Sequence, residues 1–220
     1  MAKPKLIDIT PRISERLGVF PGDVGFRRNV SLAFDKGHHL TLSSIQTSVH
    51  LGAHTDAPNH YHADGEGIAT RDPWIYMGKC LVLEAKVPRG ARVGRQHLSE
   101  KWQKATEWPA QRILVKTGSF PDPDDWNSDF CSFEPALIEE WARAGVKLVG
   151  IDTPSIDPEK DETMASHKVV AKNDLAILEG IVLTEASEGL YTLIALPLPI
   201  EDADASPVRA VLLNDPNLFS

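Results

Sequence analysis

The chain has 220 residues, 42% of them hydrophobic and 25% charged, a globular mixture long enough to bury a sizeable core within one α/β domain. A formal net charge of −8 argues against nucleic acid and anionic membrane as partners, since both need a basic face. The two cysteines, Cys80 and Cys131, are isolated and read as buried thiols rather than a disulfide; with no signal-type or membrane-spanning apolar run, a cytoplasmic location is expected.

No repeat or low-complexity linker divides the chain, so one domain over residues 1–220 is expected. KLIDIT (5–10) has the pattern of a first strand, and LTLSSIQTSV (40–49) is rich in β-branched and hydroxyl residues. CLVLEA (80–85) and RILVK (112–116) are short apolar runs of buried-strand type. Between Ser132 and Gly145 the period becomes helical. Ser132 suits the N-cap, Pro135 the first turn and Gly145 the stop, with Leu137, Trp141 and Ala144 on one face. VKLVGID (146–152) then completes a strand–helix–strand unit, and YTLIALPLP (191–199) and VRAVLLN (208–214) supply two late strands. The expected class is α/β, a mixed β-sheet with few helices.

Four of the eight histidines lie in one stretch, SVHLGAHTDAPNHYHADG (48–65). His50 and His54 have the spacing of one helical face, but Gly52 between them and Pro58 after them favour a turn or tight loop at a strand end. The glutamate of a zinc-protease H-E-x-x-H helix is absent, because position 51 is Leu. His50, His54, Asp56 and His60 nevertheless combine imidazole with carboxylate, a donor set that suits zinc, manganese or iron. The bland reading is a solvated polar loop. Farther along, His167 alone reads as a surface residue at a helix start. Glu179 interrupts the apolar run LAILEGIVL, where a carboxylate is costly unless it is paired, metal-bound or turned to water. Asp152 and Asp157 flank TPS and are candidates to line the cleft, although Asp-Pro turn chemistry is the simpler account of Asp157. The five tryptophans read as core or rim residues.

The stretch 48–65 resembles the H-x-G-[TA]-H-x-D-x-P-x-H signature of the metal-dependent cyclase-like hydrolases, and within them the kynurenine formamidase (arylformamidase) group. VFPGD (19–23) is similar to that group's WPGD segment and GIDTPSIDP (150–158) to its DTPS-x-DP segment; His167 and Glu179 match its late histidine and glutamate. The resemblance implies a cyclase-like swivelling β/β/α fold, a homodimer and two divalent metal ions per chain, zinc or manganese. His50, His54 and Asp56 would bind the first ion. Asp56 would bridge to a second held by His167, with Glu179 touching both, and His60 would be the general acid/base rather than a ligand.

The activity so implied is hydrolysis of a small aromatic formamide, N-formyl-L-kynurenine, to L-kynurenine and formate. His60 would protonate the departing aryl amine. No G-x-S-x-G elbow supports a serine route. The group's aryl-binding tryptophan is Phe20 here, and the acidic stretch 117–131 looks like an insertion at the rim. Two other readings stand beside this one: hydrolysis of isatin or another cyclic amide by the same chemistry, and metal binding without turnover. The second has no use for His60 beside a complete ligand set.

Overall fold

A computed structural model describes residues 4–105, 107–216 and 218–219. In chain order the strands are β1 (Leu6–Asp8), β2 (Arg27–Leu32), β3 (Leu42–Gln46), β4 (His54–Asp56), β5 (Met77–Glu84), β6 (Arg92–Val93), β7 (Arg112–Lys116) and β8 (Ser132–Phe133). They continue as β9 (Leu148–Ile151), β10 (Ala176–Leu178), β11 (Gly189–Ile194), β12 (Ala205–Pro207) and β13 (Val211–Leu213). The α-helices are α1 (Glu100–Gln103), α2 (Pro135–Arg143) and α3 (Ala165–Lys172). The α/β expectation, with a mixed sheet and few helices, holds.

Seven strands form the main sheet in the order β1-β13-β11-β5-β7-β9-β10. The pairs from β5 through β7 and β9 to β10 are parallel, and those on the β1 side are antiparallel. Parallel strands covered on both faces need continuous apolar sequence. RILVK, LVGI and AIL meet that requirement, being buried at nearly every position. Alternate side chains feed two cores: Leu81, Leu83, Ile113 and Val115 pack under α2 and α3, while Cys80, Val82 and Leu114 face the layer that carries β4. Both cysteines are buried free thiols.

Helix α2 joins parallel β7 and β9, as the strand–helix–strand reading requires. It begins later than expected. Glu134 occupies the N-cap, and Ser132 is drawn into β8, which pairs with β6. Its buried face is Leu137, Ile138 and Trp141; Ala144 is exposed at the C-cap. The stretch 40–49 pairs with a strand that the sequence did not announce, giving the β2–β3 ribbon. Nearly every residue of that ribbon is exposed.

Candidate metal centre and its cavity

Three loops that leave the carboxyl ends of parallel strands enclose one cavity of about 810 Å³: 117–131 after β7, 152–162 after β9 and 179–181 after β10. This is where open α/β sheets place their ligands. The histidine cluster is brought against these ends by β4, which pairs antiparallel with β12 and bridges to Glu179. His54 and Glu179 exchange both backbone hydrogen bonds, at 3.1 and 3.0 Å. His54–Asp56 is therefore a short buried strand, a correction to the loop reading; residues 49–53 form the turn before it. Gly52 takes φ +58, and a Cβ there would press on Pro11 and Leu17 at 3.1 Å.

The five expected ligands converge. His50 Nδ1 is 3.1 Å and His54 Nε2 3.5 Å from Asp56 Oδ1, and His167 Nε2 is 3.5 Å from Asp56 Oδ2. Glu179 lies 3.2 Å from His54 Nε2 and 3.8 Å from His167 Nε2. His167 and Glu179 are buried at 2% and 3% exposure, which overturns the surface readings of both. His167 lies in the first turn of α3, inside the fold.

The outer nitrogen of each imidazole has an acceptor. His50 Nε2 faces Asp204 Oδ2 at 2.9 Å, His54 Nδ1 donates to the Gly52 carbonyl at 2.8 Å, and His167 Nδ1 faces Asp157 Oδ2 at 2.8 Å. Carbonyl and carboxylate can only accept, so in the neutral rings the outer nitrogen carries the proton and the inner one presents a lone pair. These lone pairs point at Asp56, whose two oxygens are buried without a hydrogen-bond donor. A buried carboxylate facing three imidazole lone pairs lacks only a cation, so the residues fit bound metal, as the family resemblance implies. The ligand atoms of His54, Asp56 and Glu179 lie within 4.8 Å of one another, as do those of His50, Asp56 and His60.

The same deficit appears as charge. Burial opposes protonation of His50 and His167, yet neighbouring carboxylates outweigh it. Asp56 and Asp204 lift His50 to about 9, and Asp157 with Asp56 lifts His167 to about 10. Burial would raise Asp56, but His167 and His50 hold it well below the ordinary carboxylate range.

Asp157 and Asp204 hold two of the rings from outside; Asp157 lines the cavity as the sequence suggested, and Asp204 went unnoticed there. Asp157 is more than a turn residue. Its carboxylate accepts the Ser166 and His167 backbone N–H groups at the start of α3, the His167 ring and Arg92. Asp204 stands beside β12, where its carbonyl accepts from Ala57, and its carboxylate lies between His50 and His60. Asp152 ties the start of the 117–131 loop to β9 by accepting from Thr117 and Gly118.

His60 lies at the cavity edge with its ring 4.3 Å from that of His50 and its Nδ1 3.4 Å from Asp204 Oδ2. Phe20 lines the same cavity and is 37% exposed. His62 is exposed outside it.

The Cyclase family model matches residues 7–158. Kynurenine formamidases of Delftia acidovorans and Bordetella avium are each 41% identical, over 208 and 210 residues; either match covers 94% of this chain and 97% of the relative. A Bacillus stearothermophilus protein described as a predicted metal-dependent hydrolase superposes with a TM-score of 0.78 at 25% identity, over 97% of this chain and all of its own. The isatin hydrolase of Labrenzia aggregata gives 0.81 at 18% identity, covering 95% and 93% of the two chains, a likeness of fold. With the ligand geometry, the family model and these relatives in agreement, the chain belongs to the cyclase family and, within it, to the kynurenine formamidases.

Proposed function

We propose that the protein is an arylformamidase that hydrolyses N-formyl-L-kynurenine to L-kynurenine and formate in tryptophan breakdown. The observation that carries this reading is the convergence of three imidazole nitrogens on the buried Asp56 carboxylate. That centre lies in a cavity also lined by Phe20, in a chain 41% identical to kynurenine formamidases.

His50, His54 and Asp56 would hold one divalent ion and His167 a second, with Asp56 and Glu179 shared. Zinc suits the donors best and manganese is compatible. When bound, such ions supply Lewis acidity and lower the pKa of water toward neutrality. Asp204, Gly52 and Asp157 orient the three rings. Glu179 is itself fixed by the Ile156 N–H, which donates to Oε1 at 2.6 Å. His60, with Nδ1 toward Asp204, leaves Nε2 free to take a proton from the attacking water and to deliver it to the departing aryl amine, a poor leaving group without it.

Residues 1–220 act as one domain in this reading, and the enzyme is a cytoplasmic homodimer. The free thiols suit a reducing compartment. The β2–β3 ribbon, with Leu42 and Ile45 exposed at 54% and 65%, offers apolar surface to a second copy.

The test is a panel assay of metal-loaded protein on N-formyl-L-kynurenine, formanilide and isatin. Highest kcat/KM on N-formyl-L-kynurenine is expected. Preference for isatin would assign the same centre to cyclic amides. Metal uptake with no turnover of any member would mark a binding protein.

A further inference from the structure

The cavity wall beside the metal centre is aromatic, and two loops distant in sequence build it. Phe20, from the loop after β1, and Trp126, from the loop after β7, meet edge to face with centroids 5.4 Å apart and planes at 72°. Phe120 and Phe130 also pack edge-on against the indole, at 5.6 and 6.0 Å. Two further ties lock the loops together. The Gly18 N–H donates to the Pro123 carbonyl at 2.8 Å, and Arg16 pairs with Asp124 at 3.0 Å. Gly18 permits this approach, since a Cβ there would stand 3.1 Å from the Pro123 oxygen and 3.5 Å from the indole.

The indole is held from a third loop as well. Its Nε1–H donates to Glu159 Oε2 at 2.8 Å, and Glu159 follows β9 two residues after Asp157. Three rings and one carboxylate therefore fix the ring plane. Trp126 nevertheless stays half-buried and lines the cavity, whereas its neighbour Phe130 is buried. Leaving a large apolar ring wet in a concave wall forfeits burial energy that an entering apolar ligand would recover. Fixing its orientation beforehand spares the ordering cost on binding.

We propose that Trp126, clamped by Glu159, is the residue that reads the aryl ring of the substrate, with Phe20 as its edge support. This rests on the arylformamidase reading and adds a specificity residue to it. The indole that Phe20 lacks is thus supplied from the opposite loop. Glu159 is a positioning residue: it acts through Trp126 and needs only an acceptor oxygen to do so. Its replacement by glutamine keeps that oxygen, and its replacement by alanine frees the indole.

The test uses the metal-loaded full chain. Trp126→Leu is expected to lower kcat/KM for N-formyl-L-kynurenine about tenfold, mainly through KM, with metal content unchanged. Glu159→Ala should raise KM about threefold, and Glu159→Gln should restore the parent value. A direct readout covers the case in which Trp126→Leu does not fold. The protein is labelled with 5-fluorotryptophan at its five tryptophans, and fluorine NMR follows a titration with L-kynurenine, the Trp126 line being assigned with Trp126→Phe. That line should shift while those of Trp102 and Trp141, buried in the α2 core, stay in place. A Trp126 line that stays still while L-kynurenine binds overturns the assignment alone, as does an unchanged KM in Trp126→Leu. Parent protein that neither binds L-kynurenine nor turns over its formyl derivative overturns the arylformamidase reading and this assignment together.

Discussion

Gly180 packs so tightly on Gly52 that a Cβ added at Gly180 would overlap the Gly52 carbonyl oxygen. This approach brings the end of β10 against the turn before β4, so that Glu179 and His54 exchange backbone hydrogen bonds and their side chains face one centre. Gly180 also has φ +63, which L side chains adopt at a cost. Gly180→Ala is expected to destabilise the fold by about 2 kcal/mol or more, the backbone strain plus the displaced contact, and to lower metal affinity with it. Thermal unfolding and metal titration check this. An unchanged Tm with unchanged affinity would mean that the two loops can part without cost.

Asp157 holds His167 from the side away from the centre while capping α3, so its removal frees the ring and leaves Arg92 underpaired. Outer acceptors of this kind are typically worth about 10–100-fold in metal affinity. Asp157→Ala should show that loss in chelator competition, together with a stability loss of about 1–3 kcal/mol. Full affinity in the variant would show that helix packing alone orients His167.

Legibility followed sequence distance. His50, His54, Asp56 and His60 stood out because one short run carries them. Glu179 was noticeable because a carboxylate is costly within an apolar run. Asp204 was not, for it meets His50 across 154 positions and an outer acceptor obeys no spacing rule. Asp157 looked like turn chemistry because no spacing rule links it to its partners, Arg92 at 65 positions and His167 at 10. The same holds for the fold. The runs 112–116 and 146–152 read as strands because burial on both faces demands apolar residues. By contrast β4 is a strand only through its pairing with β12 and Glu179, against the local bias of Gly52 and Pro58. Ser132 has cap chemistry, yet pairing of β8 with β6 claims it first.

In the metal-free protein at pH 7 both His50 and His167 carry protons, since their pKa values are raised to about 9 and about 10. A ligating imidazole must give its proton up, so metal uptake should release close to two protons per chain at that pH. Affinity should accordingly climb with pH until about 9–10. The sign for stability is the opposite. The protonated pair stabilises the metal-free fold fully below about pH 6.5, and that contribution fades as pH rises through the raised values. Calorimetric titration of apoprotein in buffers of different ionisation enthalpy counts the protons. No release at pH 7 would mean that the rings are already neutral.

His60 is the residue for which ligand and proton carrier are both geometrically open. Its ring nitrogen comes within 4.8 Å of ligand atoms of His50 and Asp56, yet it is exposed at the cavity edge and hydrogen-bonds at most weakly, at 3.4 Å, to Asp204. The four other candidate ligands, His50, His54 and His167 with Glu179 beside them, already gather at Asp56 without it. As a positioned acid it would lower the barrier and add little to metal retention. His60→Ala should therefore keep its metal while turnover of N-formyl-L-kynurenine falls by about two to four orders of magnitude. Elemental analysis beside steady-state kinetics separates the two roles. A good leaving group sharpens the test, because a formyl ester of a phenol needs no proton at its departing oxygen and should lose far less in the same variant. Metal lost in step with activity, and an equal loss on the ester, would make His60 a ligand instead.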